Sequence, residues 1–476
     1  MSNSYVRTQM LPPQEAPIGE RGAIKWLRDN LFSGPLNSLL TILGLLVVFY
    51  LVKLSLPWWL NSVWNANSLG ECRDIVAAAG GESGACWAVI KARWHQYIFG
   101  FYPQDAYWRP VLAFGLMFVA LAPVLYWNDR KGAIMVALTA ALTVLSMVLL
   151  NTPGTVDLVA IVIMAALFAV AWLMPKKLIF VTLLYPFVAF FLLWGGPVWK
   201  GVATLLGFAV IVVVYRLLQS RLGVVVATAA GVVAAAVYWI VLQGYVTGAL
   251  TAILPIGLPA VSSDQFGGFL LAFIIGVTAI ACSLPLGVLL ALGRRSDMLL
   301  IKTLSVGFIE FVRGVPLITL LFTASLLLQY FLPPQTNFDL ILRVIILVTL
   351  FSAAYLAEVI RGGLAALPRG QYEAADALGL DYWQAQRLII MPQALKISIP
   401  GIVSTFIGLF KDTTLVSFVG LLDPLRGVTQ IVRADINWKG IYWEPYIFVG
   451  VIFFLICFGM SRYSMYLERK LKTDHR

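Results

Sequence analysis

Long apolar runs recur along the chain and are separated by short polar segments. Most runs have about 18 to 25 residues, the length that an α-helix needs to cross the hydrocarbon core of a bilayer. The runs are continuous, whereas the strands of a membrane β-barrel alternate apolar and polar residues over ~10-residue segments. The pattern predicts about twelve transmembrane helices, near residues 36–60, 110–127, 133–150, 156–174, 178–195, 202–217, 222–242, 268–292, 314–332, 340–360, 397–422 and 446–461.

The composition agrees with this pattern. Of the 476 residues, 60% are hydrophobic and 12% are charged, whereas a soluble domain carries about 25% charged residues. A water-soluble globule of this composition would expose large apolar surfaces, and a disordered chain would be far more polar. The sequence therefore predicts an all-α polytopic membrane protein.

The formal net charge of +11 follows from where the basic residues lie. With the N-terminus inside, most of the 34 lysines and arginines fall in cytoplasmic segments. The positive-inside rule then predicts that both termini are cytoplasmic. Short basic clusters between spans do not form the basic face of a nucleic-acid-binding domain. We therefore expect membrane lipid, and no nucleic acid, around this chain.

A polar segment, residues 1–35, precedes the first predicted span. Within it, Ile24, Leu27 and Leu31 share one helical face, which predicts a short interfacial helix in a cytoplasmic tail. A solvated tail without such a helix is the alternative. No signal peptide is expected, because the segment lacks an apolar core and a small-residue cleavage site.

The remaining chain divides near residue 265. Residues 36–267 are predicted to form an N-terminal membrane extension of nearly featureless helices, with one long periplasmic loop at 61–109. In residues 268–476, polar and ionisable residues lie within or beside the spans. Such residues are costly in lipid, so the functional part of the protein is expected in this half.

Cys72 and Cys86 lie in the predicted periplasmic loop. In an oxidising compartment they could form a disulfide that closes a loop of about 15 residues, which is worth about 3 kcal/mol in the chain-entropy model. Two free thiols are equally compatible with the sequence. The two histidines, His95 and His475, are too few for a metal cluster, and no CxxC pair or P-loop motif occurs.

The polar segment 361–396 has the pattern of two short helices. Residues 371–378 are good helix formers, and Gly379 stands where a left-handed residue ends a helix. Asp381 followed by Gln384 resembles the capping box that begins a second helix.

The second of these helices is expected to end at Pro392. Leu378, Trp383 and Ile389 would give the pair an apolar surface. An amphipathic helix pair of this kind is suited to a groove on a soluble partner.

This segment resembles the EAA loop of ABC importer permeases, whose pattern is E-A-A-x3-G-x9-I-x-L-P. One position differs, where methionine replaces leucine with little change in volume. The residues that carry the resemblance, with one preceding glutamine, are Gln371, Glu373, Ala374, Ala375, Gly379, Ile389, Met391 and Pro392. In that family the loop is a coupling helix that docks into a cleft of a cytoplasmic ATPase. We call residues 361–396 the EAA loop.

Flanking segments are similar to the polar amino-acid subgroup of these permeases, and they are Glu310–Leu317, Ala354–Gly362, Gly370–Ala375 and Lys411–Val416. Together with Val6-Arg7, the residues near Trp26 and the cysteine loop, they look most like the larger permease subunit of a general L-amino-acid uptake system. The resemblance implies that the last five helices form a type I ABC importer permease core. It also implies a location in the bacterial inner (cytoplasmic) membrane.

The same resemblance implies the partners. They would be a second permease subunit in a heterodimer, two P-loop ATPase subunits and a periplasmic amino-acid-binding protein. ATP and Mg would bind to the ATPase chains, so this chain would carry no catalytic residue, metal or cofactor. It would be the permease subunit of an ATP-driven importer of L-amino acids, and it would convert a docking rearrangement into alternating access.

Two pairs of ionisable residues flank predicted spans. Glu310 and Arg313, like Glu358 and Arg361, stand at i, i+3. They could be interfacial salt bridges worth at most ~0.5 kcal/mol each, or they could shape a gate near the EAA loop. Pro316, near the start of the next span, is expected to set the geometry of helix entry.

Four polar residues, Lys411, Asp412, Thr413 and Thr414, interrupt the predicted span 397–422. Adjacent charges on a helix do not face each other, so each needs its own partner or a wet cavity. A zwitterionic amino acid carries both charges, and these residues are therefore predicted to lie on the translocation path. Pairing at a subunit interface is the alternative. Pro400, near the start of this span, is expected to act as Pro316 does.

Two other function classes make different demands on the sequence. A secondary amino-acid transporter would show paired broken helices in two related halves, and no such internal repeat is evident. A membrane-embedded enzyme would carry clustered acid–base or nucleophilic residues near the end of a span, and the sequence shows none.

Overall fold

The structure is a computed structural model that describes residues 22–127, 129–331 and 339–471. Its nineteen helices in the described residues are α1 (Gly22–Asn30), α2 (Pro35–Leu60), α3 (Leu69–Ala78), α4 (Ala88–Phe99), α5 (Trp108–Leu125), α6 (Arg130–Leu149), α7 (Gly154–Leu173), α8 (Ile179–Trp194), α9 (Trp199–Val237), α10 (Gln243–Ile253), α11 (Gly268–Arg294), α12 (Leu299–Gly314), α13 (Leu317–Phe331), α14 (Leu340–Ala365), α15 (Arg369–Ala377), α16 (Tyr382–Ala385), α17 (Met391–Asp412), α18 (Pro424–Ala434) and α19 (Trp443–Leu471). Two-residue strands β1 (Gly196–Pro197) and β2 (Gly257–Leu258) pair antiparallel.

Two short π-helical segments and five 3-10 segments complete the described secondary structure, at Tyr238–Leu242, Gln386–Ile390, Gln104–Ala106, Pro175–Leu178, Ser263–Gln265, Thr413–Val419 and Ile436–Trp438. Eleven helices in the described residues are long and apolar enough to span a membrane, or twelve if one bent pair counts as a span. The predicted all-α polytopic fold is therefore confirmed.

The bent pair replaces the straight helix predicted near 314–332. Helices α12 and α13 meet at an angle of 102°. Pro316 lies at the break, directly before α13, and its carbonyl accepts hydrogen bonds from the N–H groups of Thr319 and Leu320. A proline lacks the N–H that would continue α12 and restricts the residue before it, so the chain turns there.

The chain forms two compact units, and the described part of the smaller one comprises residues 22–92 and Asp435–Glu444. Helix α1 occupies the place of the predicted interfacial helix, and every residue in it is exposed. Helix α2 contains no buried residue. The hydroxyl of Thr41 in α2 donates to the carbonyl of Leu31, which fixes the turn between the two helices.

In the same unit, Cys72 and Cys86 form a disulfide, with their Cα atoms 5.9 Å apart. Of the two possibilities that the sequence leaves open, the structure contains the bonded one. Val63 forms a parallel bridge with Cys86, and the carboxylate of Glu444 accepts a hydrogen bond of 2.7 Å from the Cys86 N–H. Four tryptophans pack together in this unit, namely Trp58, Trp59, Trp64 and Trp87.

The described part of the larger unit comprises residues 93–434 and 445–471, without the two gaps given above. In its first half, helices α6 to α8 pack around α5, in which Val119 and Ala122 are completely buried. Helix α9 contains a break at Gly223, whose φ of 75° is not helical. This break separates two of the spans, as the sequence predicts. The hydroxyl of Tyr238, in the second of these spans, donates a hydrogen bond to the carbonyl of Ala203 in the first and so links the two spans.

Helices α11, α14 and α17 form the centre of the second half of this unit. Glycines allow close approach there. A Cβ atom on Gly287 of α11 would lie 2.8 Å from the Cβ of Leu356 in α14. A Cβ atom on Gly363 of α14 would overlap the Ser398 hydroxyl of α17. Small residues at such crossings are how membrane helices gain van der Waals contact, because lipid provides no hydrophobic drive between them.

The crossing of α11 and α14 gives a first prediction. We expect Gly287→Ala to lower the stability of the folded chain by about 1–3 kcal/mol, because the added methyl group must displace Leu356 and overpacks the crossing. The matched control is Gly450→Ala in α19, where a Cβ atom would meet nothing within 4 Å. The midpoint of thermal unfolding, measured in one detergent, should fall for the first variant only. Equal midpoints for the two variants would contradict this account of the crossing.

Candidate functional site

In the EAA loop, local chemistry sets the end of the first helix and the start of the second. Helix α15 is followed by Gly379, whose φ of 69° is the left-handed conformation that glycine adopts without strain. The side chain of Asp381 accepts a hydrogen bond of 2.8 Å from the Gln384 N–H, and the Gln384 side chain accepts one of 3.1 Å from the Asp381 N–H. This reciprocal capping box starts α16.

The second helix of the loop does not end at Pro392, so that prediction is wrong. It continues through a π-helical segment, Gln386–Ile390, into α17, and Pro392 lies in the first turn of α17. Proline is tolerated there because its missing N–H costs little in a first turn. Pro400 also differs from its predicted place, since it lies inside α17 rather than at the start of a span.

One surface of the loop is open to a partner. Glu373 and Ala374 are exposed, and so are Leu378 and Trp383, which expose 71% and 67% of their residue surface. Large apolar side chains exposed on a polar loop between spans are typical of a protein–protein interaction site.

The other surface of the loop packs inward. Ala375 is buried, and Ile389 and Met391 pack against an apolar cluster shared by α14 and α17. Of the three predicted apolar anchors, Leu378 and Trp383 therefore face outward, whereas Ile389 is part of the packed interior.

An ion-pair cluster joins the helix ends beside the loop. Glu358 of α14 lies at its centre and exposes 15% of its side chain. Its carboxylate is 2.8 Å from Arg294 of α11, 3.0 Å from Arg361 and 3.7 Å from Arg313 of α12. Arg294 also contacts Glu310 of α12 at 2.8 Å. We call these five residues the Glu358 cluster.

The Glu358 cluster differs from the pairs read off the sequence. Glu358 and Arg361 pair as their i, i+3 spacing predicts. Glu310, however, pairs with Arg294 rather than with Arg313, and Arg313 instead contacts Glu358 at 3.7 Å. Because Arg294 belongs to a different helix, its part in the cluster could not be found from local spacing. The charges thus connect three helices instead of stabilising two separate ones.

A groove of about 300 Å³ lies between α14 and α17. Its lining residues are Phe351, Ser352, Tyr355, Ser404, Thr405, Gly408, Leu409 and Asp412. The Ser352 side chain is buried, and its hydroxyl has no hydrogen-bond partner within the described chain. Asp412 is the one charged side chain in this lining. A small polar molecule could therefore meet a carboxylate and hydroxyl groups here.

Of the four polar residues predicted on the path, the groove contains Asp412 alone. Thr413 is buried and its hydroxyl donates to the carbonyl of Phe410, while the hydroxyl of Thr414 donates to the carbonyl of Lys411. The side chain of Lys411 is exposed. Helix α17 ends at Asp412 and tightens into a 3-10 turn, so consecutive side chains point in different directions.

The groove residues on α17 follow a pattern that sequence reasoning missed. Ser404, Gly408 and Asp412 recur every four residues and therefore share one helical face. This spacing of small and polar residues within a span was a readable signal. Ser352 and Tyr355 of α14 gave no comparable signal, because buried hydroxyls and aromatic residues are common in any membrane helix.

Helix α18 follows the C-terminal end of α17 in the chain, and a buried carboxylate caps the start of α18. The Asp423 carboxylate accepts hydrogen bonds from the N–H groups of Leu425, at 2.9 Å, and Arg426, at 3.1 Å. Burial raises the pKa of the Asp423 carboxyl to about 6, and these two hydrogen bonds oppose the rise. The preceding residue, Leu422, accepts a hydrogen bond from the Gly268 N–H and so links this region to the start of α11.

These features define a class of protein, a helical membrane permease with a polar groove between its spans and an exposed loop joined to the same spans. Comparison with known proteins gives the family. Residues 283–473 match the model for the binding-protein-dependent transport system inner membrane component. Because relatives of the same kind match along almost the whole chain, this protein belongs to the family of amino-acid permeases of ABC importers.

Three relatives describe the extent of the similarity. The glutamate/glutamine/aspartate/asparagine transport system permease protein BztC of Rhodobacter capsulatus is 62% identical over 475 residues, 99% of each chain. The inner membrane amino-acid ABC transporter permease protein YhdY of Escherichia coli is 35% identical over 97% of this chain and 96% of its own. The glutamate/aspartate import permease protein GltK of Escherichia coli O6:H1 is 32% identical over 43% of this chain and 91% of its own. None of these relatives supports a secondary transporter.

The raised pKa of Asp423 gives a second prediction. The native pKa of about 6 exceeds the unfolded value of about 3.9, so the native state favours the protonated form. This contribution to stability is complete below the unfolded pKa and is lost as pH rises through about 6. Asp423→Asn retains a helix-capping side chain and cannot ionise.

We therefore expect the advantage of Asp423→Asn over the natural chain in unfolding free energy to grow by about 1 kcal/mol between pH 5 and pH 7.5. Thermal unfolding of both chains at the two pH values measures this difference. A difference that stays constant with pH would show that Asp423 does not titrate as its burial requires.

Proposed function

We propose that this chain is the path-forming permease subunit of an ATP-driven importer of L-amino acids that carry acidic or amide side chains. The observation that carries the proposal is the 62% identity, along 99% of both chains, to a permease named for glutamate, glutamine, aspartate and asparagine. The groove beside Asp412 and the exposed EAA loop are the two structural features that such a subunit requires.

We further propose the assembly in which it works. A second permease would complete a heterodimer, two P-loop ATPase subunits would bind ATP and Mg, and a periplasmic protein would deliver the amino acid. Both termini would be cytoplasmic, because the basic residues concentrate in the segments on their side. In this proposed orientation the EAA loop would lie in the cytoplasm, where an ATPase could reach Leu378 and Trp383.

The domain division at residue 268 is part of the proposal. The family model begins at residue 283, and the shorter Escherichia coli relative matches 43% of this chain. Residues 268–476 would therefore be the permease core, and residues 36–267 would be an extension that such a short relative lacks.

In the proposed mechanism this chain does no bond chemistry. Closure of the ATPases would move the EAA loop, and α14 and α17 would transmit that movement to the groove. The groove would then open to the other side, since a ligand-driven change of this kind shifts a population between two packed states. Asp412 would receive the α-ammonium group of the substrate, and the hydroxyls of Ser352 and Thr405 would be available to its polar atoms.

The turn at Gly379 gives a third prediction. Apart from Gly379 itself and its two neighbours in the chain, no atom of the described residues lies within 4 Å of the place where its Cβ would be, so space is left there. We expect Gly379→Trp to abolish uptake and to weaken ATPase binding. Gly379→Asn should retain most uptake, because asparagine accepts the left-handed conformation and stays small.

Uptake in vesicles and co-purification of the ATPase measure the two effects at Gly379. Capture of substrate by the periplasmic binding protein should be unchanged in both variants. Normal uptake by Gly379→Trp would contradict docking at this turn.

The groove gives a fourth prediction. Asp412→Asn retains the size of the side chain but removes its charge. We expect uptake of all four named amino acids to fall by about 10- to 100-fold, since a hydrogen bond to a charged group is worth about 1.5–3 kcal/mol. Thr414→Val is the comparison variant, because its hydroxyl lies outside the groove lining. Initial uptake rates in proteoliposomes test both. If Asp412→Asn is normal, the substrate site lies elsewhere; if Thr414→Val is equally impaired, the effect is not specific to the groove.

A further inference from the structure

Two consecutive arginines, the last residue of α11 and the one after it, contact different neighbours. Arg294 belongs to the Glu358 cluster and contacts α12 and α14. Arg295 instead donates a hydrogen bond of 2.9 Å to the hydroxyl of Tyr372 in α15. Adjacent residues on a helix differ by about 100° in direction, so one helix end can hold the spanning helices with one arginine and the EAA loop with the next.

The contact between Arg295 and Tyr372 has two components. The guanidinium carbon of Arg295 lies 5.5 Å from the centre of the Tyr372 ring, within the range of a cation–π interaction. The Tyr372 hydroxyl in turn donates to the carbonyl of Leu364 near the end of α14, at 3.4 Å, and Arg295 reaches the same carbonyl at 3.4 Å. One tyrosine of α15 is thus attached to the ends of both α11 and α14.

The neighbouring residue of α15 is attached to a third helix. The side-chain oxygen of Gln371 accepts a hydrogen bond of 2.9 Å from the side-chain amide of Gln393 in α17. The Gln393 amide also donates to the carbonyl of Ile389, at 3.0 Å, which fixes its orientation. Gln371 and Tyr372 together therefore connect α15 to α11, α14 and α17.

These attachments matter because α15 cannot hold its position alone. It has nine residues, and an isolated helix of that length is not stable in water. Its outward residues, Glu373 and Ala374, are exposed. A displacement applied to that outward surface can reach the spanning helices through the covalent chain and through inward side-chain contacts. Among these contacts of α15 with the described residues, the Arg295–Tyr372 pair carries a charge.

We propose that Arg295 and Tyr372 form a positioning pair that transmits movement of α15 to α11 and α14. The inference rests on the proposed function, in which α15 lies against an ATPase. Neither Arg295 nor Tyr372 lines the groove. Its loss should leave the ATPase bound and hydrolysing while the groove fails to follow, so the signature is a lower number of amino acids imported per ATP.

The experiment uses the complete complex in proteoliposomes. A mixture of L-glutamate, L-glutamine, L-aspartate and L-asparagine is supplied on the side of the membrane that carries the binding protein. ATP hydrolysis and uptake are measured together for Arg295→Gln, Tyr372→Phe and the double variant. Lys302→Gln is the matched control, because Lys302 is an exposed basic residue of α12 outside the Glu358 cluster.

We expect Arg295→Gln to lower uptake per ATP by about 5- to 10-fold, the size of a typical coupling between sites. Tyr372→Phe retains the ring and loses the hydroxyl, so its loss should be smaller. The double variant should be no worse than Arg295→Gln, because residues of one contact are not additive. Lys302→Gln should match the natural chain.

Other results overturn the proposal in distinct ways. Uptake and hydrolysis that fall in parallel would indicate a structural role, and losses that add fully in the double variant would show that the two residues act separately. If the Arg295→Gln chain does not assemble, Tyr372→Phe is the deciding variant. Uptake per ATP that is unchanged in Tyr372→Phe would contradict transmission through the hydroxyl. Failure of the natural chain to bind an ATPase would instead refute the proposed function.

Discussion

The close packing of α14 against α11 and α17 is the constraint on which the rest of the structure depends. Gly287 and Gly363 permit these crossings, and a methyl group at either place would meet the neighbouring helix. Packed interiors are stiff, so helices in such contact move as discrete bodies rather than deforming. Any movement of α14 must therefore change its arrangement with both neighbours.

Helix α14 also connects the features that bear on transport. In the middle of α14, Ser352 and Tyr355 line the groove. Near its C-terminal end, Glu358 forms ion pairs with three arginines. The chain then enters the EAA loop and returns as α17, the other wall of the groove. A loop bounded by the two walls of a groove can act on both at once. Under the proposed function, this arrangement would let the permease respond to a partner that hydrolyses ATP.

The sequence was most informative where a property depends on neighbouring residues. The lengths of most spans, the glycine turn at Gly379 and the capping box at Asp381 follow from local chemistry, and the structure has them; the span predicted near 314–332 is the exception. Contacts between distant residues were not readable, and Arg294 and Arg295 are examples. Proline was misread at Pro392 because its local effect depends on whether the preceding chain is already helical. The fold was thus largely predictable, whereas the α14 side of the groove and the part that Arg294 takes in the cluster were not.

The central claim is that the EAA loop is the surface through which an ATPase acts on the spans. Site-directed cross-linking tests it most directly, using Leu378→Cys in a chain whose Cys282 and Cys457 are replaced by alanine. A short bifunctional reagent applied to inverted membrane vesicles should join this position to the P-loop subunit, and ATP should change the yield. Absence of any ATPase adduct, together with labelling by an impermeant reagent from the periplasmic side, would contradict the account.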